Sequence, residues 1–168
     1  MPAPTLIIGY GNPSRGDDAL GPLALELIAR RIAQWDAGLL TGQPEWGQIE
    51  LLTDFQLQIE LVTDMAQRER VIFIDADVSL NQPFSFTPLQ EPRVSVGTSH
   101  ALEPASLLAV YRNYYACAAP PAFLLAIRGY EFELGAPVSV EAGRNLDAAI
   151  AMLEQWLTHQ GSREVCHA

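Results

Sequence analysis

The chain has 168 residues, 49% of them apolar and 18% charged, enough to close one hydrophobic core and unlike a disordered or low-complexity sequence. Twenty acidic residues against ten basic ones give a formal net charge of −10, which repels nucleic acid and anionic lipid and suits a cation or a basic peptide. Cys117 and Cys166 make no disulfide framework, and the first apolar run is too short for a signal peptide or a membrane span, so the expected compartment is the cytoplasm.

Residues 5–10 are short, β-branched and apolar on both faces, which predicts a buried parallel strand. Asp18 or a neighbour can cap a helix over residues 19–34, where Leu20, Leu23, Leu27, Ile28 and Ile32 recur at helical spacing. Residues 36–47, rich in Gly and Pro, predict a loop. Residues 49–53 then predict a second strand and residues 57–67 a second helix. Residues 71–77 predict a third strand that is strongly apolar and ends in carboxylates. Residues 84–89 alternate, and Pro88 places them on a sheet edge.

Residues 94–100 predict a polar loop. Pro104 fits the first turn of a third helix reaching Tyr115. Residues 122–127 predict another buried strand. A closing helix is expected over 139–159, with Val140, Leu146, Ile150, Leu153 and Leu157 on one face, and a flexible tail over 161–168. The order β-α-β-α-β-β-α-β-α predicts an α/β fold in one domain spanning residues 1–168. It is a layered structure with a mostly parallel twisted sheet of about five strands flanked by helices.

In such sheets ligands gather beyond the carboxyl ends of the strands. Asp18 follows strand 1, and Asp75 and Asp77 end strand 3. They share one rim only if strands 1 and 3 are neighbours. Gly9-Tyr10-Gly11 invites a dinucleotide reading, but the third glycine position holds Ser14, and Gly16 is followed by Asp17-Asp18, which would repel a pyrophosphate. No bound nucleotide is expected.

Each candidate has a plain structural alternative. Asp18 could stabilise a helix dipole by roughly 0.3–1 kcal/mol. Asp17 is the more structural of the pair, a cap for backbone donors, and Arg15 could neutralise one carboxylate. Asp75 ends an apolar strand, where an ion is costly unless paired, hydrogen-bonded or coordinated. His100 could be an ordinary loop residue; His159 and His167 read as solvated. Two carboxylates and an imidazole would nonetheless make a metal-binding set with room for further ligands. Neither Gly-x-Ser-x-Gly nor His-Glu-x-x-His is present.

Taken together, the segments resemble the NiFe hydrogenase maturation endopeptidases. The resemblance runs from about residue 5 to residue 157. It rests on Gly9-Tyr10-Gly11-Asn12, Gly16-Asp17-Asp18-Ala19-Leu20-Gly21, Asp64-Met65-Ala66, Ile74-Asp75-Ala76 and Ser99-His100. Residues 54–60, Pro121-Ala122-Phe123-Leu124 and residues 128–135 look most like the branch serving soluble, NAD-coupled hydrogenases.

The resemblance implies an endopeptidase that removes the C-terminal extension of the hydrogenase large-subunit precursor once nickel has been inserted. It implies that Asp18, Asp75 and His100 hold or read a nickel ion brought by the substrate. Water attack needs a base, by elimination a carboxylate, Asp18 or Asp75, although ligation competes for the same lone pairs. The resemblance also implies a partner, that precursor, and a monomeric enzyme without nucleic-acid or membrane partners. Some members of the family have Glu where this chain has Asp18. Other branches carry an Asp-Gly-Gly-Thr-like stretch after strand 2. Here it reads Thr53-Asp54-Phe55-Gln56, with Asp54 offset by one position, so a role for Asp54 does not carry over. Two competing readings are a non-proteolytic metal-binding checkpoint or chaperone, and a metal-independent hydrolase with an aspartic dyad.

Overall fold

A computed structural model of the chain describes residues 1–40, 46–92 and 102–165, the last five by backbone alone. Strands β1 (Thr5–Tyr10), β2 (Ile49–Asp54), β3 (Arg70–Asp77), β4 (Phe84–Pro88) and β5 (Ala122–Arg128) form one sheet in the order β2-β1-β3-β5-β4. All neighbours pair parallel except β4, which closes the edge antiparallel to β5. The helices are α1 (Leu20–Asp36), α2 (Leu61–Asp64), α3 (Pro104–Tyr115) and α4 (Val140–Val165), and one 3-10 turn, Gly16–Ala19, leads into α1. The sequence thus predicts the architecture correctly, including the edge strand and the Pro104 start of α3.

Side-chain alternation along the strands splits the core in two. Ile7, Ile72, Ile74, Leu125 and Ile127 face α1 and α4, where they meet Leu20, Leu25, Ile28, Leu146 and Leu153. Leu6, Ile8, Val71 and Phe73 face the other way, onto Leu61, Met65, Leu107 and Leu108. Both faces are covered, which is why the middle stretches of β1 and β3, residues 6–8 and 71–74, are apolar without interruption. No helix among the described residues is long and apolar enough to cross a membrane.

Two boundaries and one burial differ from expectation. The second helix shrinks from 57–67 to Leu61–Asp64. Its entry is made of tight turns, with Leu61, Val62 and Thr63 N–H donating three residues back, and Gln67 at φ 61° stops its continuation. The last helix runs to Val165, past the expected end at residue 159; the one glycine it crosses there, Gly161, costs a helix only about 1 kcal/mol. Val140 is exposed, because it is the first residue of α4 and lies clear of the packed face. Leu146, Ile150, Leu153 and Leu157 are buried as predicted.

Two glycines let α1 lie directly on the sheet. A methyl group at Gly21 would fall on the Tyr10 carbonyl oxygen and stand 2.7 Å from that of Ile74. A methyl group at Gly9 would meet the Gly21 carbonyl and Leu25. These obstacles are mostly backbone and cannot rotate away. Gly21→Ala is therefore expected to lower stability by about 1–3 kcal/mol or more, read as a fall in Tm. A variant as stable as the parent would show that the helix can lift without cost.

Candidate functional site

Because β1 and β3 are neighbours, the two carboxylates do meet at the carboxyl edge of the sheet. Tyr10 continues the face of Leu6 and Ile8, and Asp75 that of Val71 and Phe73. Gly9 pairs with Ile74, so Tyr10 and Asp75 come next in register. Asp18 comes over the same edge from the 3-10 turn. Gly11, at φ +139°, passes so close to the Asp18 carbonyl that no side chain fits there. The Asp18 carboxylate accepts the Asn12 N–H at 3.0 Å, and the Asn12 side chain accepts the Ser14 N–H at 2.9 Å. The amide that a phosphate would seek in this glycine-rich turn is thus already committed to a carboxylate.

Asp18 and Asp75 line a pocket of about 480 Å³ together with Tyr10, Gly11, Leu102 and residues 55–60. Asp75 Oδ1 accepts the Ala76 N–H at 2.8 Å, and the Tyr10 hydroxyl donates to the same carboxylate. Burial pushes the Asp75 carboxyl up to about 6; the charges of Asp18 and Asp77 add to the rise, and the Tyr10 and Ala76 hydrogen bonds oppose it. Burial, and then the neighbouring Asp75, push the Tyr10 hydroxyl far up, so it remains a proton donor at any ordinary pH. The group next to a carboxylate that exchanges its proton near neutrality is therefore a neutral hydroxyl. A larger hollow, about 650 Å³, opens elsewhere between Trp35, Trp46 and the start of β2, away from these carboxylates.

Asp17 and Asp18 have separate tasks. Asp17 is fully buried, and its oxygens accept the N–H groups of Tyr130, Glu131 and Ser139 and the Ser139 hydroxyl at 2.7–3.0 Å. Its expected role as a cap for backbone donors holds, but the donors belong to the β5–α4 connection, more than a hundred residues away. Ser139 in turn accepts the Ala142 N–H in the first turn of α4. Arg15 donates through Nε to the Phe132 carbonyl, a different partner from the carboxylates expected for it.

Asp77 is the last residue of β3, and its Oδ1 accepts from the Ser79 N–H and hydroxyl. Asp54 Oδ1 accepts the Phe55 N–H as β2 ends. His100 lies outside the described residues, as does His167; His159 is exposed. Among the described residues no three His, Cys, Asp or Glu side chains cluster as a metal site. Tyr10 was missed as a site residue. A tyrosine between two glycines at a strand end is the available signal, but its partner depends on which strand lies alongside.

No protein-family model matches the chain, and no curated protein matches it. Solved structures do. HybD, the hydrogenase maturating endopeptidase from E. coli, superposes with a TM-score of 0.67 at 22% identity, covering 96% of this chain and 94% of that one. The NiFe hydrogenase maturation protease HycI from Thermococcus kodakarensis KOD1 gives 0.63 at 19% identity over 92% and 93%. An endopeptidase from Escherichia coli gives 0.61 at 23% over 91% and 90%. Over nearly its whole length, then, this chain adopts the fold of the hydrogenase maturation proteases.

Proposed function

We propose that this protein is an endopeptidase that removes the C-terminal extension of a NiFe hydrogenase large-subunit precursor after nickel insertion. The observation that carries this reading is the pairing of Asp18 and Asp75 in one open acidic pocket at the carboxyl edge of the sheet. Two carboxylates brought from separate elements suit a cation presented by a protein substrate. The fold shared with HybD and HycI supports the same reading.

In this proposal Asp18, Asp75 and His100 read the nickel that the precursor carries, and the scissile peptide is positioned beside that anchor. A water oxygen attacks the peptide carbonyl carbon, its proton passes to a carboxylate, and the C–N bond breaks as the amine leaves with a proton. Asp18 or Asp75 takes that proton through an oxygen that does not hold the nickel. Tyr10 holds the Asp75 carboxylate in place. The segments at residues 54–60 and 128–135 point to a soluble, NAD-coupled hydrogenase as the source of the precursor, and the enzyme acts as a monomer in the cytoplasm.

The test is incubation with nickel-loaded precursor, followed by mass spectrometry of its C-terminus. Loss of the tail is expected, with nickel-free precursor left intact. Asp18→Asn and His100→Ala should each slow processing by about a hundredfold or more without unfolding the protein. A tail that stays attached would leave a checkpoint role without cleavage. Equal cutting of nickel-free precursor would point to an aspartic dyad working alone.

A further inference from the structure

Large apolar side chains are exposed unevenly over this molecule. Phe55 and Ile59, 65% and 54% exposed, stand on the β2–α2 connection, and both line the pocket that holds Asp18 and Asp75. Val78, Tyr130 and Leu134, also exposed, lie on the connections that leave β3 and β5. All three connections depart from the carboxyl ends of parallel strands, hence from one edge of the sheet. The ends of β2 and β5 are three strand spacings apart, about 14 Å.

The β5–α4 connection packs on the turn before Asp18, with the Gly135 N–H on the Ser14 carbonyl at 2.7 Å and the Gly16 N–H on that of Ala136 at 3.1 Å. The acidic mouth therefore has apolar side chains, Phe55 and Ile59, along its β2 side, and the connection bearing the exposed Tyr130 and Leu134 packs behind the Asp18 turn. A free ion or a small polar molecule would use the pocket and gain nothing from them. A protein surface would cover both.

The bank formed by Phe55 and Ile59 is held from behind. Leu57, between them, is buried in the core beneath α3, and the Leu61 N–H closes on the Gln58 carbonyl. The two outward side chains are thus presented in advance of binding. The lining carboxylates, Asp18, Glu60 and Asp75, select what sits beside that bank: a positive centre.

We propose that Phe55 and Ile59 form a docking rim for a protein surface whose apolar side chains border a cationic centre. They set the affinity for that protein and leave the rate of the chemical step alone. This rests on the processing function proposed above, with the nickel-bearing end of the precursor as the occupant. Neither side chain carries a group that could act on the scissile bond.

The test is the double variant Phe55→Ser/Ile59→Ser, assayed with nickel-loaded precursor for KM, kcat and, by biolayer interferometry, Kd. Both positions are exposed, so Tm should stay within about 2 °C of the parent. KM and Kd should rise at least about tenfold with kcat within twofold. Phe55→Leu/Ile59→Leu should keep most of the affinity. Leu39→Ser/Tyr114→Ser, exposed apolar positions off the strand ends that carry the site, should change nothing. Unchanged KM and Kd in the serine double variant, with processing intact, would overturn the rim and leave the function standing, as would a loss of kcat alone. Parent protein that neither binds nor cuts the precursor would overturn the function and the rim with it.

Discussion

Asp17→Ala is expected to cost about 2–5 kcal/mol and to lower Tm by about 5–15 °C. The carboxylate is fully buried and gathers four donors, three of them backbone N–H groups of one connection. Alanine leaves those donors without their acceptor and removes a negative charge beside the first turn of α4. Asparagine is no rescue. One Asp17 oxygen accepts from Tyr130, Glu131 and the Ser139 hydroxyl and the other from the Ser139 N–H, so an amide NH₂ on either side would face a donor.

The pH dependence follows. Although burial opposes it, the hydrogen bonds from Glu131, Ser139 and Tyr130 hold the Asp17 carboxyl below its ordinary value of 3.8. A lowered native pKa gives stability that is fully present above that ordinary value and is lost as pH falls through the lower native one. The gap in Tm between parent and Asp17→Ala should therefore be constant from neutrality to about pH 5 and narrow in more acid solution. A variant within about 2 °C of the parent at pH 7 would show that water replaces the carboxylate. The wider consequence is positional: Gly16 and Asp17 tie the turn that carries Asp18 to a connection on the far side of β3.

That tie marks the limit of what the sequence discloses. The apolar runs of β1, β3 and β5 and the alternation of β4 state their own environment, because burial on two faces or one is written into residue type. The juxtaposition of Asp18 and Asp75 followed from topology once β1 and β3 proved to be neighbours. Tyr10 against Asp75 was not legible, since a contact across strands depends on strand order and register, neither of which is local. Asp17 could be read as a cap, but its donors at residues 130–139 could not be named. The second helix was overread because Leu57, Leu61 and Met65 recur at helical spacing and are all buried, whereas Ile59 faces solvent and the chain before Leu61 enters by tight turns. His100, the third member of the expected set, lies outside the described residues.

Asp75→Asn is expected to make the protein more stable at neutral pH and to slow processing by about a hundredfold or more. The carboxyl titrates at about 6 in the folded protein against 3.8 ordinarily, chiefly because it is buried. A raised carboxylate pKa means that the native state binds more protons than the unfolded state between those two values. Stability from this group therefore falls as pH rises from about 4 to about 6 and stays low above that. The difference of about 2 units corresponds to about 3 kcal/mol at most, or about 5–10 °C in Tm. Asparagine keeps an acceptor for the Ala76 N–H and an NH₂ for the Tyr10 oxygen, and it carries no charge to bury. The gain in Tm should be largest near pH 7.5 and vanish near pH 4. An equal gain at both would assign it to packing, and a loss at pH 7.5 would show that the carboxylate is stabilising as an ion. A strand end that holds a charge at its own expense, with Asp18 adding to the cost, fits the proposed role of receiving a positive partner from outside. The same melts repeated with nickel-loaded precursor should show the parent gaining stability on binding, and Asp75→Asn gaining much less.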